Sequence, residues 1–223
     1  MVRLDHIGKR YGGGAPVLAD VSLVLEPGSF CFLTGASGSG KSVLLRLIHL
    51  AELPTQGRLS LFGRDAAALD RAARAAMRRK IGFVFQDCRL FDALSAVDNV
   101  ALPLRLAGAP DRRARDNAAE LLGWVGLAER AAAPTAILSR SERQRVQIAR
   151  AMIGRPELLI ADEPTAAGEE DAVLLVRAFE QLNGLGATAL IGTSDIALAR
   201  RFRHHRVHLE GGMLADATEV SAA

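Results

Sequence analysis

Apolar and polar positions alternate over 17–25, which predicts a strand ended by the turn Glu26-Pro27-Gly28. Phe30, Cys31, Phe32, Leu33 and Thr34 form a short, mostly apolar run and read as a second strand. A glycine-rich stretch follows at once. Beyond it, Val43, Leu44, Leu47 and Ile48 recur at helical spacing over 42–51. Further buried strands are predicted over 81–85, 158–161, 187–192 and 205–209. Residues 95–150 read as mostly helical, with breaks near 108–110 and 133–134, and 173–183 as another helix. Buried strands alternating with helices predict an α/β fold with a largely parallel sheet. The long helical stretch interrupts that alternation and reads as an inserted subdomain.

Composition narrows the picture. The chain has 223 residues, 49% of them hydrophobic, which suffices for one domain with a real core. Aromatic residues are only 4%, so Leu, Val, Ile and Ala must build that core. The expected organisation is a single domain over 1–215, a helical subdomain over about 87–155, and a C-terminal tail over 216–223. No apolar run approaches the ~20 residues that span a bilayer. Residues 1–10 are charged and carry no secretory pattern, so a cytoplasmic location is expected. Cys31 and Cys88 lack metal-ligand or CxxC spacing and read as reduced thiols.

Net charge is +3, and the basic residues are clustered: Arg71, Arg74, Arg78, Arg79 and Lys80, then Arg200, Arg201, Arg203 and Arg206. No aromatics interleave with them, so solvated helix faces are expected rather than a nucleic-acid surface.

The glycine-rich stretch carries the chemistry. Gly35-Ala36-Ser37-Gly38-Ser39-Gly40-Lys41-Ser42 fits G-x-x-x-x-G-K-S between a predicted strand and a predicted helix that continues at Val43. Glycine permits positive φ and close backbone approach, so successive N–H groups can cradle phosphate oxygens. Lys41 is expected to reach the β- and γ-phosphates of ATP, and the Ser42 hydroxyl to ligate Mg²⁺. The apolar run Leu158-Leu159-Ile160-Ala161 ends in two carboxylates, Asp162 and Glu163. Strand alternation would send them to opposite sides. Asp162 then suits the outer shell of Mg²⁺, and Glu163 suits a general base for the attacking water.

With these motifs in place, the chain over 1 to about 215 resembles the ATP-binding-cassette (ABC) ATPases. That resemblance implies a P-loop NTPase (RecA-like) core with an antiparallel β subdomain and an inserted helical subdomain. It implies that Tyr11 stacks on adenine, an interaction worth ~1–3 kcal/mol. Gln86, in Phe83-Val84-Phe85-Gln86-Asp87, resembles the family's Q-loop glutamine beside Mg²⁺ and the attacking water. Leu138-Ser139-Arg140-Ser141-Glu142 stands where the family has its signature, which acts on the nucleotide of a second subunit. Within the family, Asp98-Asn99-Val100-Ala101-Leu102-Pro103-Leu104 is most similar to the cell-division branch. ATPases of lipoprotein release and small-molecule export read similarly. The resemblance implies a homodimer in the ATP-bound state. It also implies an FtsX-like integral membrane subunit as partner, which would hold the protein on the inner face of the plasma membrane. The apolar residues among 89–106 are the expected docking region, with about half of them in the core.

Three departures bear on turnover. Arg140 and Ser141 replace the two glycines of the signature. Ser194, in Thr193-Ser194-Asp195, replaces the switch histidine. Glu169 stands where the family has an aspartate in the loop that follows Asp162 and Glu163. ATP binding is therefore expected to survive and hydrolysis to be slow, with a weakly hydrolysing scaffold as the rival to an active ATPase.

Overall fold

A computed structural model describes residues 1–215; the tail expected over 216–223 lies outside the described residues. Five parallel strands form the centre of the protein: β3 (Phe30–Thr34), β6 (Ile81–Val84), β7 (Leu158–Asp162), β8 (Thr188–Thr193) and β9 (His205–Glu210). Their order is β9-β3-β8-β7-β6, and β10 (Met213–Ala215) adds an antiparallel edge beyond β9. Side chains of β3 show why a short apolar run suffices here. Phe30 and Phe32 enter one core, while Cys31 and Leu33 enter the other. The same split holds in β7, where Leu159 and Ala161 face one side and Leu158 and Ile160 face the other. Period-2 geometry with both faces buried requires apolar residues at every position.

The first core also contains α3 (Ala96–Leu106), α4 (Asp111–Trp124), α5 (Arg140–Met152) and α6 (Glu169–Asn183). The first three lie between β6 and β7 in the chain, where the long helical stretch is predicted, and the gaps between them contain the breaks expected near 108–110 and 133–134. Their apolar faces are continuous with the sheet core, so these helices do not form a separate hydrophobic unit. The second core holds α1 (Lys41–Ile48) and an antiparallel sheet of order β2-β1-β4-β5. Its strands are β1 (Val2–Lys9), β2 (Leu18–Leu25), β4 (Gln56–Leu61) and β5 (Arg64–Asp65). Two short helices, α2 (Arg71–Arg78) and α7 (Ile196–Arg201), complete the fold.

The basic clusters lie on the surface and are largely used internally. Arg74 donates to the Leu69 carbonyl, Arg78 to that of Leu50, and Arg206 to that of Ala199. Arg201 pairs with Glu169 at 3.0 Å.

His49, which closes α1, packs edge-on to Phe83 and Phe85 with ring centroids 4.9 and 5.8 Å away. Burial, reinforced by Arg78 and Arg89, pushes its imidazole down to about 4. The unfolded chain titrates this group near 6.5. Protonation therefore favours the unfolded state. The stability held by neutral His49 is complete above about pH 6.5 and falls as pH drops toward 4, by roughly 3 kcal/mol at most. Urea unfolding of His49→Gln is expected to lose less midpoint between pH 7 and 4.5 than the parent; parallel losses would refute this.

Candidate functional site

The carboxyl ends of the parallel strands converge on one side of the sheet, where ligands of open α/β folds bind. The β3 end runs into residues 35–40, β7 ends at Asp162, β8 leads to Ser194, and β6 leads through Phe85 to Gln86. An open cleft of about 350 Å³ lies among them. It is lined by Ser37, Gly38, Gly40, Lys41, Ser42, Val43, Gln86, Glu163 and Ser194, with Val17, Thr165 and Ala166. Nine of these twelve are residues that the sequence singles out.

The loop has the geometry of an anion cradle. Gly35, Gly38 and Gly40 take φ of 153°, 82° and 106°. A Cβ on Gly35 would stand 2.3 Å from the Leu209 carbonyl oxygen, so this position admits only glycine. Gly40 precedes α1 and offers no side-chain cap, and the first turn of the helix carries no acid. The amides of Lys41, Ser42 and Val43 and the positive end of the helix dipole are thus left for a ligand. The Ser39 hydroxyl is buried without a hydrogen-bond partner among the described residues. These observations fit a polyphosphate.

Lys41 is 4% exposed and crosses the loop. Its Nζ donates to the carbonyls of Gly35 at 2.7 Å and Ala36 at 2.9 Å, and pairs with Glu163 Oε1 at 3.1 Å. The Ser42 hydroxyl donates to Asp162 Oδ1 at 3.0 Å. Burial raises the Asp162 carboxyl above its usual range, against the opposing pull of the Ser42 hydroxyl. Among the described residues, no cluster of three or more His, Cys, Asp or Glu side chains is placed to hold a metal ion. Ser42 and Gln86 line the cleft and Asp162 accepts from Ser42, so oxygen atoms of the kind that Mg²⁺ takes stand beside the loop.

Glu163 corrects one step of the sequence argument. It does not continue the strand alternation, because β7 ends at Asp162 and Glu163 turns into the left-handed region at φ 46°, ψ 62°. Its N–H donates to the Gly192 carbonyl on β8 at 2.8 Å. Its Oε2 accepts from the Ser194 N–H at 2.9 Å and the Ser194 hydroxyl at 3.0 Å. A neighbouring strand, rather than alternation, aims this carboxylate. A non-glycine residue at positive φ costs of order 1–3 kcal/mol, and Glu163 is the one of the seven such residues among the described ones that lines this cleft.

Other expected residues stand elsewhere. Ser139, Arg140, Ser141 and Glu142 do not line the cleft. They start α5, where Ser139 and Glu142 form a reciprocal capping box and Arg130 pairs with Glu142 at 3.0 Å. Tyr11 also lies outside the cleft lining, and the residue is 47% exposed. Glu169 is tied to Arg201 on the surface. Gln147 is a residue that sequence reasoning missed. It is buried in α5 and grips the backbone of Phe85 from both sides, accepting from its N–H at 2.7 Å and donating to its carbonyl at 2.9 Å. That clamp fixes the segment bearing Gln86. Its signal was faint: one glutamine among the polar positions of a helix.

Comparisons with known proteins agree with this geometry. The ABC transporter family model matches residues 18–166. The chain is 41% identical over 222 residues to the cell division ATP-binding protein FtsE of Escherichia coli (strain K12), covering 96% of this chain and 99% of that protein. It is 42% identical over 207 residues to the lipoprotein-releasing system ATP-binding protein LolD of Maricaulis maris (strain MCS10), covering 90% of each. The dimeric post-hydrolysis state of the ATP-binding cassette MJ0796, bound to ADP and Pi, superposes with a TM-score of 0.93 at 32% identity over all of both chains. A phosphate cradle at the carboxyl ends of the strands, joined to these matches, establishes that the chain belongs to the ABC transporter family as one of its ATP-hydrolysing cassettes.

Proposed function

We propose that this chain is the ATPase subunit of an FtsEX-like complex, which binds Mg-ATP, dimerises, and drives an FtsX-like membrane partner in cell division. The observation that carries this reading is the match to FtsE, which spans 99% of that protein. No described helix is long and apolar enough to cross a membrane, so membrane work needs a partner.

In this reading the cleft takes the phosphates. Tyr11, outside the cleft lining, stacks on adenine as the family resemblance implies. Phosphate oxygens draw Lys41 away from the Gly35 and Ala36 carbonyls and from Glu163. Ser42, Gln86 and Asp162 would hold Mg²⁺, which would supply charge neutralisation at the phosphates. The freed Glu163 carboxylate, still held by Ser194, takes a proton from the attacking water. Ser139, Arg140, Ser141 and Glu142 of a second copy close over the γ-phosphate.

A groove of about 530 Å³ supports a partner of this kind. It lies between α2, α3, α5 and the β6 edge, with Leu102, Leu104, Phe83 and Phe85 on its walls. Arg78, Arg79 and Arg150 line it and no acid does, which suits an apolar helix carrying a carboxylate.

Turnover of the purified complex with its membrane partner is expected below ~1 s⁻¹, the lower end of ordinary phosphoryl-transfer enzymes. Restoring both glycines (Arg140→Gly with Ser141→Gly) is expected to raise it about tenfold or more. A parent rate of ~1–10² s⁻¹ would sink the slow-hydrolysis reading. The likeness to LolD supports a second reading, lipoprotein release. Capturing the membrane subunit from native membranes decides between them: a four-span FtsX-like protein supports division, and a larger permease supports export.

A further inference from the structure

Glu52, in the turn after α1, is the hub of a charged cluster outside the phosphate cleft. It accepts from the Tyr11 hydroxyl, from Arg46 Nε at 2.8 Å, and pairs with Lys9 Nζ at 3.1 Å. Arg46 also reaches the Tyr11 hydroxyl at 3.4 Å. Lys9 donates to the Leu53 carbonyl at 2.8 Å, and its ammonium lies 4.9 Å from the Tyr11 ring centroid. Burial disfavours the Glu52 charge, yet these donors hold its carboxyl below the usual range, so it is ionised at neutral pH.

Tyr11 sits where β1 has ended, just ahead of Gly12, Gly13 and Gly14, and the residue is 47% exposed. Here the hydroxyl is fixed by a carboxylate, and a cation lies over the ring. Arg46 belongs to α1, the helix whose first residues are Lys41 and Ser42. The Glu52–Arg46 pair therefore ties the ring to the element that holds the phosphates.

We propose that Glu52 is a positioning residue for the nucleobase. By locking the Tyr11 ring in register with α1, it controls the base-dependent part of nucleotide affinity without touching the ligand. This rests on the reading of Tyr11 as the stacking residue. A merely structural Glu52, bolting β1 to α1, would affect all phosphate ligands alike.

The test titrates the full-length chain with Mg-ATP and with Mg-tripolyphosphate, which has phosphates and no base. Glu52→Ala and Tyr11→Phe are each expected to weaken ATP about tenfold while tripolyphosphate stays within twofold. Glu52→Gln, which keeps an acceptor, is expected to recover part of the loss. Equal weakening of both ligands by Glu52→Ala, or no change in either, overturns the proposal. Should Glu52→Ala fail to fold, Tyr11→Phe and Glu52→Gln carry the same test. Tyr11→Ala separates the two ideas. If it leaves ATP affinity unchanged, the stacking reading falls and takes the proposal with it. If it weakens ATP while Glu52→Ala does not, stacking stands and only the role of Glu52 falls.

Discussion

Replacing Lys41 by alanine is expected to weaken ATP binding by about 10²-fold or more. Among the described residues, Lys41 is the one cation lining the cleft, and its side chain is 4% exposed. Each hydrogen bond from a charged group contributes roughly 1.5–3 kcal/mol, and two such bonds to phosphate account for the loss. The structure adds a second effect. In the present state the same ammonium bridges the Gly35 and Ala36 carbonyls, so the variant also loosens the loop. Isothermal titration with Mg-ATP measures the affinity. Retention of affinity within threefold would mean that the backbone amides alone hold the nucleotide, and would overturn the role given to Lys41.

Glu163→Gln is expected to lower ATP turnover by about 10²–10⁴-fold, the usual contribution of a positioned general base. The amide keeps the shape and can still accept from Ser194, so geometry is preserved while basicity is lost. Nucleotide affinity is expected to hold or to rise. In the parent, phosphate must displace the Glu163 carboxylate from Lys41, a 3.1 Å pair with both side chains largely buried. The variant removes that competitor and leaves Lys41 short of a counter-charge, which destabilises the nucleotide-free protein. Thermal unfolding should then show a larger stabilisation by ATP in the variant than in the parent. Turnover within threefold of the parent would remove Glu163 from the chemical step. A matched fall in affinity would show that the carboxylate assists binding rather than opposing it.

What could be read in advance divides along physical lines. β3, the phosphate loop and α1 were legible because each is specified locally. An apolar run must be buried, G-x-x-x-x-G-K-S has one use between a strand and a helix, and apolar residues at helical spacing mark a packed face. β1 was not legible. Val2, Leu4 and Ile7 are its buried positions, but a bulge at His6, with φ of 50°, breaks the alternation that would have revealed it. α2 was missed because only Met77 of its eight residues is buried, so there was no apolar stripe to find. β4 begins with three exposed residues and shows only Leu59 and Leu61 to the core.

At the site, the identities of Lys41, Ser42, Asp162, Glu163 and Gln86 could be named from motif and resemblance. Their relations could not. Glu163 is aimed by a left-handed turn and by two donors from Ser194, which lies 31 residues away and becomes its neighbour because β8 pairs with β7. Gln147 grips Phe85 across 62 residues because α5 packs beside β6. The Glu52 cluster joins three segments that have no common motif.

By itself, the sequence determined the alternating α/β plan and the phosphate loop. Those are properties of short windows, where residue type and spacing act directly on the backbone. Only the tertiary structure decided that Lys41 is paired with Glu163, that Ser194 holds that carboxylate, and that Tyr11 is anchored to Glu52. Those depend on strand order and helix placement, which bring together charges distant in the chain and set their distances to within a hydrogen bond.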